Sequence, residues 1–189
     1  MNRRIALERV ALILGGTVIG GSVFLQGCKT SDKTNPSVSL LGKDQIAFLD
    51  EVAETIMPTT NTPGAKAAMV GAFMNIMVTD CYEEKDQKIF MDGLGKIDEA
   101  SKKMNGKSFM DSTASERTTL IKDLNKQLKA YDTAKKETDP AHYFGLIKQL
   151  TLLGYFTSEI GATQALRYIA VPGKYEGCVP YKKGDRAWA

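Results

Sequence analysis

Apolar side chains recur at spacings of three and four along most of the chain beyond residue 42. A run with that period can hide its apolar face only as an α-helix packed against others. Ile46, Leu49, Val52, Ala53 and Ile56 set the first such stripe, and Pro58 stops it. Thr62-Pro63, a capping residue followed by proline at the first helical position, predicts a second start, with Met69, Val70, Phe73, Met74, Met77 and Cys81 on one face. A third helix is expected from Glu84 to about Met104, ended by Asn105-Gly106. The fourth opens on a capping box, Thr113 to Glu116, and buries Leu120, Ile121, Leu124, Leu128 and Tyr131. Asp139-Pro140 predicts the start of a fifth, through Leu146, Ile147, Leu150 and Leu153. A short sixth is expected from Ser158 to Ile169, before Pro172-Gly173. No period-two alternation is long enough for a sheet. The expectation is all-α: a single-domain bundle of five or six helices with an irregular C-terminal segment.

The first 27 residues read as an export signal outside that fold. Arg3, Arg4 and Arg9 precede an uncharged run from Val10 to Leu25, too short for the roughly 20 apolar residues of a stable span. Leu25-Gln26-Gly27-Cys28 resembles the lipobox of bacterial lipoproteins, which makes Cys28 the lipidation site and residues 28–41 a lipidated tether. An ordinary signal peptide with an incidental thiol is the alternative. Arg3-Arg4 matches a twin-arginine signal only weakly, so twin-arginine and general export both stay open. The expected location is the cell envelope, on a periplasm-facing or outer-membrane lipoprotein. Fully extended the tether spans roughly 40 Å, and as a coil about 20 Å.

From Cys28 onward 22 basic and 21 acidic residues nearly cancel, and no basic block is interleaved with aromatics. This excludes a nucleic-acid face or a basic membrane-binding helix and leaves attachment to the lipid. Committing Cys28 to acylation leaves Cys81 and Cys178 as a candidate disulfide. Closing a loop of about 100 residues would stabilise by ~4 to 5 kcal/mol in the chain-entropy model. Two separate buried thiols remain the alternative, because sequence gives no Cα separation.

Catalytic chemistry is sparse. His142 is the single histidine, placed mid-helix by the pattern, with no nucleophile near it in sequence. No C-x-x-C, haem-attachment or zinc-ligand spacing occurs. Gly93-Leu94-Gly95-Lys96 lacks the strand and spacing of a phosphate loop and reads as helix. Asp50, Glu51 and Glu54 fall opposite the apolar face of the first helix, where the expectation is a solvated patch. Met69, Met74 and Met77 suit core packing, with an adaptable binding surface as the other use. No catalytic, cofactor-binding or metal-binding residue is assigned.

Three segments together resemble the gluconate 2-dehydrogenase subunit 3 family. They are Ile56-Met-Pro-Thr-Thr-Asn-Thr-Pro-Gly-Ala-Lys66, Asp80-Cys81-Tyr82, and Leu152-Leu-Gly-Tyr-Phe-Thr-Ser-Glu-Ile-Gly161 through Val171-Pro-Gly-Lys-Tyr-Glu-Gly-Cys178. The resemblance covers about residues 45 to 189 and implies a helical, exported accessory subunit without a catalytic centre. Its partner would be a large flavoprotein dehydrogenase of the glucose-methanol-choline type that carries the FAD, often with a cytochrome c electron acceptor. Ser158-Glu159-Ile160-Gly161 stands where others in the wider family carry Gly-Gly-Asn, which leaves the partner's substrate open. The expected docking residues are Tyr155, Phe156, Tyr168, Tyr175, Tyr181 and Trp188, since aromatic anchors dominate many interfaces. Tyr155 and Phe156 fit a place in the core equally well. A rival reading is an independent ligand-binding or scaffold lipoprotein of the cell envelope, and a stand-alone enzyme ranks last.

Overall fold

A computed structural model describes residues 39–188 apart from residue 172. Five α-helices follow one another: α1 (Lys43–Ile56), α2 (Val70–Cys81), α3 (Glu84–Asn105), α4 (Ala114–Ala134) and α5 (Tyr143–Thr157). A five-residue π-helical segment, Gly161–Ala165, comes next, and an irregular tail completes the chain. Among the described residues the only β pairing is a single bridge between Arg167 and Trp188. The all-α expectation therefore holds.

The sequence of α5, YFGLIKQLTLLGYFT, has one charge in fifteen residues and is apolar nearly all round. Such a helix belongs inside other helices. It touches all four others and supplies Phe144, Ile147, Leu150 and Tyr155 to the core. Around it lie Leu49 and Val52 from α1, Val70, Met74 and Val78 from α2, Phe90, Leu94 and Ile97 from α3, and Leu120, Leu124 and Leu128 from α4. Phe109, between α3 and α4, fills one end and is fully buried. Ser39–Leu41, read from sequence as the end of the tether, lie against α2. Leu41 is buried, its N–H donates to Asn75 Oδ1 at 3.3 Å, and Leu40 N–H donates to Thr79 Oγ1 at 3.3 Å.

The termini of α3 and α4 are those the sequence announces. Gly106 takes the left-handed conformation, φ 73°, that ends α3. Thr113 and Glu116 form both halves of the capping box, Thr113 N–H donating to Glu116 Oε2 at 2.7 Å. Three other boundaries differ. Regular helix in α2 begins at Val70, not at Thr62-Pro63. Gly64 and Lys66 N–H donate to the side chains of Thr59 and Glu54, Ala65 and Met69 N–H donate to the carbonyls of Met57 and Lys66, and Met69 adopts a left-handed φ of 52° just before the helix. Met69 is consequently 69% exposed and not on the core face. In α5 the start moves to Tyr143, because the Asp139 carboxylate closes a turn on Lys136 N–H and Pro140 C=O accepts from the Tyr131 hydroxyl. His142 is thus not mid-helix but caps α5, its Nδ1 accepting from Phe144 N–H at 3.3 Å.

The sixth helix shrinks to the π-helical segment. Ser158 Oγ donates to Tyr155 C=O and accepts from Gly161 N–H, drawing the backbone so close that a Cβ on Gly161 would collide with Tyr155 O. Leu166 N–H then bonds Gly161 C=O at 2.9 Å, five residues back, and Leu166 itself is already extended.

Candidate partner interface

Two regions gather the residues singled out in the sequence: a charged knot at the α1–α2 loop, and the tail. Asp50, Glu51 and Glu54 were expected to be solvated, yet each is partly buried and bonded. The Glu54 carboxylate accepts from Thr59 N–H and Oγ1 at 2.9 and 2.8 Å and from Lys66 N–H at 2.9 Å. A Cβ on Gly64 would strike that carboxylate, so a larger residue there would have to displace the Glu54 side chain from the loop it holds. Asp50 Oδ1 accepts from Gly71 N–H at 2.8 Å. Glu51 pairs with Lys66 and, at 2.6 Å, with Arg117 of α4. Arg117 also donates to Phe109 C=O and Met110 C=O at 2.9 and 2.6 Å, and its guanidinium lies 5.2 Å from the centre of the Phe109 ring. The helical period located these carboxylates correctly, but the period does not reveal that the loop folds back over them.

The knot and the Thr113 cap both contribute to the pH response of the fold. Hydrogen bonding from Lys66 holds the Glu51 carboxyl below its ordinary value, with the Arg117 charge adding to this. Burial pushes Glu54 up, but its bonds from Lys66 and Thr59 outweigh that and the net shift is downward. Lys107 and the Thr113 cap hold Glu116 down at about 2. Burial dominates at Asp50 and raises it. A depressed carboxyl stabilises the fold above its unfolded value near 4.5, and that stability is lost as pH falls through the folded value. Asp50 acts with the opposite sign. The melting temperature is therefore expected to fall below about pH 4.5 as these carboxyls protonate, and burial of His142, which lowers its value from the ordinary 6.5, adds a loss that begins as pH drops below that value. Glu51→Gln should give a shallower acid limb in thermal melts followed by circular dichroism, and an unchanged limb would assign the acid response elsewhere.

Tyr155 is 2% exposed, and its hydroxyl donates to Pro63 C=O at 2.8 Å, tying α5 to the α1–α2 loop. It belongs to the core and not to a docking face. Phe156 reaches the surface with its ring set edge-on to Tyr155, 5.2 Å between centres. Tyr168, Tyr175, Tyr181 and Trp188 are exposed, Tyr175 by 95%. Cys81 and Cys178 are exposed free thiols, one ending α2 and the other in the tail, so the expected disulfide is absent from the structure. Sequence spacing carries no distance between the two thiols. Cys28, together with the signal and most of the tether, lies outside the described residues.

The tail is fastened at its two ends. Arg167 N–H donates to Ala187 C=O at 2.8 Å, and its Nε donates to Arg186 C=O at 2.6 Å. Its guanidinium stacks 4.6 Å from the Trp188 ring centre. Arg186 in turn donates to Gln164 C=O at 2.6 Å, fixing this clasp to the π-helical segment. Arg167 and Arg186 escaped the sequence reading, because an arginine far from its acceptors in the chain leaves no periodic trace. Among the described residues, no group of three or more His, Cys, Asp or Glu is arranged to hold a metal ion.

The sequence model of the family described as gluconate 2-dehydrogenase subunit 3 matches residues 43–173. The chain belongs to that family. In this gluconate 2-dehydrogenase subunit 3 member the match runs from the first residue of α1 to the start of the tail and so spans the five-helix bundle. The greater part of the tail, Lys174–Trp188, lies beyond it. No curated protein and no solved structure matches the chain.

Proposed function

We propose that this chain is a non-catalytic accessory subunit that anchors, assembles or helps export a flavin-dependent dehydrogenase of the glucose-methanol-choline type. The observation that carries the reading is the family match across the whole helical bundle. The exposed tail supports it: Tyr168, Tyr175, Tyr181 and Trp188 stand outside the core, available as anchors for a second chain. On this reading the partner holds the FAD and oxidises a sugar or alcohol, passing electrons onward, with a cytochrome c as one acceptor. Lipid on Cys28 and the following linker keep the pair at the envelope membrane, on its periplasmic side or in the outer membrane.

Affinity capture of the tagged full chain from detergent-solubilised membranes should recover a large chain with flavin absorbance, in stoichiometric amount. Deleting the gene should lower membrane-bound dehydrogenase activity and leave it diminished or soluble. Recovery of the chain alone, under conditions that preserve known membrane complexes, would sink the reading and favour an independent envelope lipoprotein.

A further inference from the structure

His142, the chain's single histidine, caps α5 with a lone pair that a proton would take. Its Nδ1 accepts from Phe144 N–H at 3.3 Å, which leaves the ring's own proton on Nε2. Phe144 is the second residue of the helix, where an amide has no acceptor within the helix itself. The imidazole is wedged between two rings: Tyr143, stacked at 4.6 Å between centres, and Tyr131 of α4, at 5.2 Å. Tyr143 in turn lies against α3, so close to Gly93 that a Cβ there would sit 2.9 Å from it, and Lys96 Nζ stands 5.4 Å from the centre of its ring. One neutral ring thus joins the start of α5, the end of α4 and the middle of α3.

The charged groups around it are Asp132 and Lys135 from the end of α4, Lys148 from α5 and Lys96 from α3. His142, Asp132, Lys135 and Lys148 share the wall of an open cavity of about 330 Å³. Lys148 is held by Asn125 Oδ1 at 2.6 Å, and among the described residues Asp132 forms no ion pair. A proton on Nδ1 converts the acceptor into a donor that faces Phe144 N–H. It also puts a positive charge at the positive end of the helix dipole. Burial of the ring, with Lys96 adding to it, holds the imidazole below its ordinary 6.5, whereas Asp132 favours the charged form. Tyr143 stays neutral throughout, because burial raises its value.

We propose that His142 is a protonation switch at the head of the central helix: neutral, it caps α5; protonated, it gives up Phe144 N–H, turns across the cavity to Asp132 and frees the first turn of the helix. The proton comes from solvent, and no covalent bond other than that N–H is made or broken. Tyr143 then loses the ring stacked on it, so α3, α4 and α5 loosen at this corner. The rest of α5 stays packed through Ile147, Leu150 and Tyr155. The switch is a property of the bundle and does not depend on which partner the chain serves.

Nuclear magnetic resonance of the isotope-labelled full chain in detergent reads both halves of the switch, the imidazole titration and the hydrogen exchange of the Phe144 amide, corrected for the intrinsic pH dependence of exchange. Protection of that amide should fall about fivefold between about pH 7.5 and about pH 5, the size of a lost helix cap, with the same midpoint as the imidazole. His142→Asn supplies a capping oxygen that does not titrate, so its Phe144 amide should keep its protection across the range. Asp132→Asn should move the imidazole midpoint to lower pH, and an unmoved midpoint overturns the pairing across the cavity. An imidazole that titrates while Phe144 keeps its protection, or an equal fall in His142→Asn, overturns the switch. Should the asparagine chain fail to fold, wild type decides alone: separate midpoints for imidazole and amide overturn the switch, and a shared midpoint supports it.

Discussion

Replacing Arg117 by alanine is expected to cost the fold about 3 kcal/mol. The side chain is only 16% exposed and serves three acceptors at once: Glu51 of α1 and the carbonyls of Phe109 and Met110. Truncation leaves Glu51 with Lys66 alone and two carbonyls without their partner, and uncovers the Phe109 ring. Removing one member of a partly buried charge pair costs more than the pair is worth, because the remaining charge keeps its desolvation. For a domain of this size the loss corresponds to roughly 6–12 °C in melting temperature. Arg117→Lys should recover little of it, since a single ammonium cannot reproduce a planar fork reaching three acceptors. Thermal and urea melts of both variants check this. A lysine variant as stable as wild type would mean that charge alone is enough.

The second large effect is expected at Gly71, where α2 crosses α1 at backbone distance. A Cβ there would sit 2.7 Å from both Asp50 Oδ1 and the Ile46 carbonyl oxygen. The carboxylate can swing aside, but Ile46 O belongs to the backbone of α1 and cannot. Gly71→Ala must therefore push the helices apart and stretch the bond from Gly71 N–H to Asp50, at a cost of about 2–3 kcal/mol. Gly95→Ala is the control: nothing lies within 4 Å of its Cβ position, so the exchange should be neutral or mildly stabilising through helix propensity. Urea denaturation of the two variants beside wild type reads the difference directly. Equal midpoints would contradict the close crossing.

What the sequence made legible follows from how local each cause is. The Thr113 box, the Asn105-Gly106 stop and the apolar stripes, Met69 and Cys81 of the second excepted, are written within a few residues of where they act, and the structure agrees with them. The start of α2 is not local. It depends on Glu54, whose carboxylate collects N–H groups from Thr59 and Lys66, and no spacing rule shows that a residue late in α1 will hold the loop after it. The interface was legible in kind but not in membership. Aromatic residues in an irregular tail gave the region, yet Tyr155 is separated from it only by Ser158 folding the backbone back at Gly161. The unpaired state of Cys81 and Cys178 is likewise a matter of through-space position.

Because α5 is the one helix that touches every other, the order in which the chain is made bears on when it can fold. The first four helices emerge with their inner faces prepared but without Phe144, Ile147, Leu150 and Tyr155 to close them. Until residue 157 is available, the core these helices share lacks its central member. A protein assembled around its last helix postpones commitment to its core. It also means that the Arg167–Arg186 clasp forms only after the residues that close the bundle have been made.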